Sequence, residues 1–309
     1  MLKIIWTNEY LKYDFGKSHP FWVERGQAFL KKIAQEKKFS YQVLAPKKAK
    51  DEDILLVHSK NYLNRVKELA LSKGNLSSDT PLNEKILQAS YWYVGGTILA
   101  LEEVLKGNTA MNLLGGLHHA GSDNSSGFCV FNDHAIAIKK LQKMRELSPH
   151  GKIWLHGRKV FILDIDVHAG NGTQEIFYQD PTVFTVSLHQ DPRTLYPGIG
   201  FENETGASRG KGFNRNFVLA PGATGGQYLK KFHQALELIP KFKPDLLILI
   251  FGADTYKEDP LANINLELND YFKIGHALKP FQPFAILCAG GYSKKVPEIW
   301  LKFLQGLLD

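Results

Sequence analysis

Asp164, Asp166 and His168 stand at alternate positions where an apolar, β-branched run, VFIL, comes to an end. Side chains two apart in an extended strand point the same way, so these metal-binding or titratable groups converge at the strand's carboxyl end. A run this apolar predicts a strand buried on both faces of a parallel sheet, and such sheets bind ligands outside their carboxyl ends. DLLILIFGAD repeats the pattern and delivers Asp254; FAILCAGGYS repeats it again with Gly290, Gly291 and Tyr292. Asp166, His168 and Asp254 form a hard, oxygen-rich set suited to zinc or a similar divalent ion, with a position left for water. An ion held this way polarises a carbonyl and lowers the pKa of its water from about 15.7 to, in the strongest cases, about 7. The chemistry predicted is hydrolysis, not redox.

A loop rich in glycine and serine, GGLHHAGSDNSSGF, adds His118 and His119. Adjacent imidazoles beside a metal-activated water suit a general base and an electrostatic partner. Asp164 and Asn171 are available to orient them. An asparagine orients a ring without the negative charge that raises its pKa, so the histidine it holds stays neutral more readily and is the better base. Tyr292 follows two glycines that permit close backbone approach, and its hydroxyl can donate to the oxyanion of a tetrahedral intermediate, a contribution of order 10²- to 10³-fold in comparable sites. Each residue alone has a bland reading: an aspartate capping a helix, a histidine satisfied in the core, a tyrosine packed on a rim. Convergence at several strand ends outweighs those readings.

The elements that must position these residues alternate regularly. MLKIIWT and YQVLAP read as strands on either side of a helix whose apolar stripe includes Phe29 and Ile33. Ser59 can cap a helix, and LNEKILQASYWYVGGTILALEEVLKG is a long one ended by Gly107. Met111 to Leu114 is a short strand before the histidine loop, and a helix resumes near Asn132 or Asp133. SPHGKIWLHGRK reads as a polar, exposed insert before the central strand. PTVFTVSLH is another strand, YPGIGFENETGASRGKGFNRNF a glycine-rich crossing, and ATGGQYLKKFHQALELIPKF a helix. This order predicts an α/β fold: a single domain over residues 1–309 with a mostly parallel, doubly wound sheet and helices on both faces.

The 309 residues, 44% of them hydrophobic, suffice for one large core. A net charge of +7 raises the question of an acidic partner. Its densest lysines, Lys31, Lys32, Lys37, Lys38, Lys47, Lys48 and Lys50, lack interleaved aromatics, so a solvated face is expected and specific nucleic-acid binding is not. Cys129 and Cys288 sit in apolar segments and read as buried thiols of a reducing compartment. With neither a signal-peptide pattern nor an apolar stretch of roughly 18 residues, the expectation is a soluble, cytoplasmic protein that does not enter membranes.

GGLHHAGSDNSSGFCVFND, DIDVHAGNGTQEIFY, SLHQDPRTLYPGIG, GADTYKEDPL and AGGY occur in an order that resembles the zinc-dependent histone deacetylases and their bacterial deacetylase and acetylpolyamine amidohydrolase relatives. The resemblance runs from about Ser18 to Tyr292. It implies the arginase/deacetylase fold, and one zinc per chain on Asp166, His168 and Asp254. It further implies tandem histidines His118 and His119, backed by Asp164 and Asn171, and a carbonyl-polarising Tyr292. Gly127, Phe128 and Tyr196 would line a tunnel for an acyl-lysine stem. Potassium would sit near Asp164, Ser187 and Leu188, with backbone oxygens of Asp166 and His168, and a second monovalent ion near the backbone of Phe177, Asp180, Val183 and Phe213. There are departures: Ala169 replaces a histidine common in relatives, Tyr196 a phenylalanine, and the entrance loop from Tyr13 to Glu24 has no match to the family's peptide-gripping aspartate.

The function expected is removal of acetyl or other acyl groups from lysine side chains of proteins, so the partner is an acetylated protein. The alternative substrate is an acetylpolyamine or another small acylated amine. More remote readings are a catalytically silent acyl-lysine binding protein and a dinuclear manganese ureohydrolase. Asn171, and the lack of an aspartate between Asp254 and Asp259, disfavour the latter. Oligomeric state is left open.

Overall fold

The computed structural model describes residues 1–143 and 158–309, so nearly all of the insert expected to be exposed lies outside the described residues. In chain order the strands are β1 (Leu2–Ile5), β2 (Tyr41–Leu44), β3 (Asn75–Ser77), β4 (Thr80–Pro81), β5 (Thr109–Asn112), β6 (Val160–Asp164), β7 (Val183–Gln190), β8 (Asn214–Leu219), β9 (Ala223–Thr224), β10 (Leu246–Phe251), β11 (Ile264–Asn265) and β12 (Ala285–Cys288). One sheet runs β2-β1-β5-β12-β10-β6-β7-β8, and every neighbouring pair in it is parallel. The expectation of a parallel sheet with two covered faces is met. The three apolar runs with polar ends, β12, β10 and β6, are adjacent at its centre, and every residue in them is buried.

Both faces are covered by helices: α1 (Arg25–Ile33), α2 (Asp51–Ile54), α3 (Lys60–Ser72), α4 (Glu84–Leu105), α5 (Asp133–Lys143), α6 (Asn171–Phe177), α7 (Gly225–Leu236), α8 (Leu238–Phe242), α9 (Leu268–Leu278) and α10 (Val296–Leu308). Side chains alternate between the two layers. Val160 and Ile162 of β6 join the apolar layer of α4 and α5, whereas Phe161 and Leu163 join that of α7, α9 and α10. Ser59 caps α3 by accepting Tyr62 N–H (3.1 Å), and Gly107 follows α4 at φ +86°, as their residue types predict.

The strand expected at Met111–Leu114 ends at Asn112 instead. The Asn112 side chain is buried there and accepts the Tyr10 hydroxyl at 2.8 Å, and the chain leaves the ladder toward Gly115 and Gly116. Cys129 and Cys288 are buried and unpaired. Among the described residues no helix is long and apolar enough to cross a membrane.

Candidate active site

Register carries Asp164 and its neighbours to one rim. Asp164 pairs with Ile250 of β10 and with Ser187 of β7, so the chain past β6 and the chain past β10 emerge side by side. Asp166, His168 and Asp254 are buried, with donor atoms within 4.8 Å of one another. His168 Nδ1 lies 3.1 Å from Asp166 Oδ1 and 3.4 Å from Asp254 Oδ2. Backbone amides hold the other carboxylate oxygens: Asp166 Oδ2 accepts Gly290 N–H (2.9 Å) and Asp254 Oδ1 accepts Val167 N–H (2.9 Å). Asp254 Oδ2 has no hydrogen-bond partner among the described residues. A buried, unpartnered carboxylate oxygen is costly and calls for a ligand.

Two glycines make the approach possible. A Cβ on Gly290 would lie 2.1 Å from Asp254 Oδ2, and one on Gly252 would lie 2.5 Å from Asp166 Oδ2. The donor set, its orphan oxygen and these walls fit a metal ion, and Asp166, His168 and Asp254 can hold one.

Electrostatics separate the residues. Burial pushes the Asp254 carboxyl up, and nearby Asp166 adds to the push, to about 8. Burial works against the charged form of Asp166 too, but His118 and His168 outweigh it and hold that carboxylate well below its usual range. His168 reaches about 10 despite burial, because the Asp166 carboxylate accepts from it and the Asp254 carboxyl lies close beside it.

His118 Nδ1 is 2.6 Å from Asp164 Oδ2, and His119 Nδ1 is 2.6 Å from Asn171 Oδ1; their Nε2 atoms are 3.0 Å apart. Burial opposes a charged His118, but Asp164 and Asp166 prevail and hold it at about 9. His119 falls well below its usual value through burial and through the positive charge of His118 and His168. The pair is therefore split at neutral pH, with a charged His118 and a neutral His119.

A narrow cavity runs between His118, His119, Gly127, Phe128, Asp166 and Tyr292. Gly127 has φ +53°, and a Cβ there would meet His119 Cδ2 at 2.2 Å, so glycine is required beside the ring. The Phe128 and Tyr292 rings are 5.9 Å apart, edge to face. Tyr196 packs its ring 5.1 Å from that of His119 and remains 42% exposed. Tyr292 is fixed through its backbone, whose N–H donates to Asp259 Oδ2 (2.8 Å). Burial, with Asp254 and Asp166, keeps its hydroxyl protonated far above the usual range.

Of the residues implicated in monovalent-ion binding, Asp164 and Ser187 are register partners, with Leu188 next along β7. Ser187 Oγ is 2.8 Å from His189 Nδ1. The backbone oxygens of Phe177, Asp180 and Phe213 already accept Asp180, Val183 and Thr185 N–H. Ala169 also has a reason: a Cβ on Gly200 would sit 2.6 Å from its Cβ, so the loop after Tyr196 packs closely on it.

Three residues near the site escaped the sequence reading. Arg25 is buried, donates to the carbonyls of Gly291 (2.9 Å) and Ala289 (2.5 Å), and lies over the ring of Phe21. Asp259, noted in the sequence only for its distance from Asp254, anchors Tyr292. Asp79, outside the Tyr13 to Glu24 entrance stretch, is half-buried, and its Oδ2 accepts Gly127 N–H (3.2 Å). The signal was Asp79-Thr80-Pro81, a turn signature that says nothing of what the turn faces.

A family model described as histone deacetylase domain matches residues 19–307. The acetoin utilization protein AcuC of Bacillus subtilis is 31% identical over 319 residues, spanning 96% of this chain and 80% of that protein. A crystal structure of a histone deacetylase homolog complexed with SAHA superposes with a TM-score of 0.88 at 30% identity, covering 98% of this chain and 82% of that one. The acetylpolyamine aminohydrolase from Burkholderia pseudomallei gives a TM-score of 0.84 at 25% identity, covering 99% and 98%.

Proposed function

The chain belongs to the histone deacetylase domain family and is a deacetylase, and from that premise we propose that it removes acetyl or other acyl groups from the lysine side-chain amines of proteins by hydrolysis. The single observation that carries this reading is the differently backed histidine pair, His119 Nδ1 against Asn171 Oδ1 and His118 Nδ1 against Asp164 Oδ2, both beside the Asp-His-Asp set. In this reading the whole 309-residue chain is one deacetylase domain working in the cytoplasm.

Asp166, His168 and Asp254 would hold one zinc ion, which would supply charge stabilisation for the acyl oxygen and a water more acidic than in bulk. Asn171 Oδ1 accepts from His119 Nδ1, which leaves Nε2 unprotonated; that nitrogen faces His118 Nε2 at 3.0 Å in this structure and would turn to the attacking water to take its proton. His118, kept charged by Asp164, stabilises the negative charge that develops. As the carbon–nitrogen bond breaks, His118 or His119 returns a proton to the departing amine. The Tyr292 hydroxyl donates to the oxyanion. Gly127, Phe128 and Tyr196 hold the acyl-lysine stem and exclude bulk water. In the same proposal Asp164, Ser187 and Leu188 would hold a potassium ion.

A protein substrate is the first reading, favoured by the match to the histone deacetylase domain and to a histone deacetylase homolog. A small acylated amine is the second reading, favoured by the full-length match in fold to an acetylpolyamine aminohydrolase. One experiment tests both. Hydrolysis of an acetyl-lysine peptide and of acetylputrescine is measured on the enzyme as purified, after chelation, and after zinc is restored. Activity that vanishes and returns with zinc supports the mechanism, and the better substrate selects the class. Metal-loaded enzyme that turns over neither, nor longer acyl-lysines, overturns the reading.

A further inference from the structure

Three consecutive residues outside the reacting set grip the loop that carries it. Asn132, Asp133 and His134 stand at the start of α5, and all are 0% exposed. Asp133 Oδ1 accepts Leu117 N–H (2.7 Å) and Oδ2 accepts Gly116 N–H (2.9 Å), the two amides immediately before His118. The Thr97 hydroxyl donates to the same Oδ2 and accepts from Asn112 Nδ2 (3.0 Å). Beyond the pair, Asn132 Nδ2 donates to the carbonyl of Ala120 (3.1 Å). His134 Nε2 lies 2.7 Å from Thr173 Oγ1, and Thr173 N–H donates to the carbonyl of His118 itself (3.1 Å). One helix start thus holds the loop before, at and after the histidines.

The loop is also tied by Gly115 N–H to the Cys288 carbonyl (3.4 Å) and by Ser126 Oγ to the His119 carbonyl (3.0 Å), but Gly116 and Leu117 N–H, just before the pair, are given to Asp133. Gly116 takes φ +74°, and the sequence around it is small and flexible. A carboxylate buried as deeply as Asp133 is costly unless its acceptors are filled, and here three donors fill them. The arrangement over-determines the loop's position while making no hydrogen bond to Gly127, Phe128 or Tyr196 among the described residues.

Resting on the deacetylase reading above, we propose that Asn132, Asp133 and His134 are positioning residues that set His118 and His119 in register with Asp164 and Asn171, so that the catalytic rate, and not substrate binding, depends on them. Misplacing a reacting group by 1 Å costs about 100-fold in rate.

The test uses the zinc-loaded full chain and an acetyl-lysine peptide. Asp133→Asn turns an amide NH₂ toward one of the two backbone donors. Its kcat is expected to fall about 100-fold while KM stays within about threefold and zinc per chain is unchanged. His134→Ala should lower kcat, and His134→Gln, whose side-chain amide can take the place of Nε2, should restore most of it. If Asp133→Asn does not fold, the His134 pair decides alone. The proposal is overturned if kcat per bound zinc stays at the wild-type level in the variants that fold. It is overturned equally if Gln rescues no better than Ala. Should the zinc-loaded wild type hydrolyse no acyl-lysine, the functional reading fails, and the side-chain ¹⁵N signals of His118 and His119 decide the positioning. Signals that move in His134→Ala and return in His134→Gln support it; signals that stay in place refute it.

Discussion

The two ends of the central strands are built to opposite rules. At the amino end of β6 and β10, Lys159 and Asp245 are exposed; Asp245 N–H donates to the Lys159 carbonyl (2.8 Å) and Lys159 N–H to the Asp245 side-chain Oδ2 (2.8 Å). At the carboxyl end, Asp164, Asp166, His168 and Asp254 are buried, and Asp254 keeps an unpartnered oxygen. Groups at the first end cost little and do little. Those at the second oppose folding unless something compensates their charge, which is the pattern of a site retained for chemistry.

The most direct way to break the contrast is to remove what the carboxyl end holds. His168→Ala, or chelation, is expected to abolish amide hydrolysis, and metal analysis should show the loss of bound ion. His119→Ala should cost about 10³-fold in kcat with metal retained, since it removes a general base. Tyr292→Phe should cost of order 10²-fold, again with metal retained, the loss expected of one oxyanion donor. Full activity in either of these would remove that residue from the mechanism.

The pH profile sharpens the comparison within the rim itself. His119 must be neutral to act, and burial holds its pKa below the usual value of 6.5, so the acid limb of kcat/KM should lie below 6.5. In the proposed mechanism His118 acts charged, and Asp164 and Asp166 hold it above its usual range, so the alkaline limb should lie above 6.5. Asp164→Asn removes a charge that holds His118 up and should pull that limb downward. An unmoved limb would assign it to another group. The smallest effect belongs to the other end: Asp245→Asn should leave turnover within about twofold and shift stability by no more than about 1 kcal/mol, read by denaturant melts.

How far the sequence exposes this architecture depends on where each residue's partners lie. β6, β10 and β12 are legible because a strand covered on both faces must be apolar throughout, and their polar ends follow directly in the chain. The histidine loop is legible because two imidazoles among glycines and serines have few structural uses. Arg25 is not. It opens an amphipathic helix like any solvated arginine, and its burial depends on the carbonyls of Ala289 and Gly291 at the far end of the chain. Asp133 reads as an ordinary first-turn acid of α5, because nothing local says that its acceptors serve Gly116 and Leu117. β5 ends early for the same kind of reason, its last residue being engaged by Tyr10 from a distant segment.

The in-register pairing of Asp164 with Ile250 reaches beyond catalysis. A slip of one residue between β6 and β10 would turn every side chain of one strand to the opposite face and scatter the three donors. On the proposed metal reading only the correctly paired sheet would offer all three donors, so uptake of a spectroscopic metal during refolding would report strand alignment before any substrate is added.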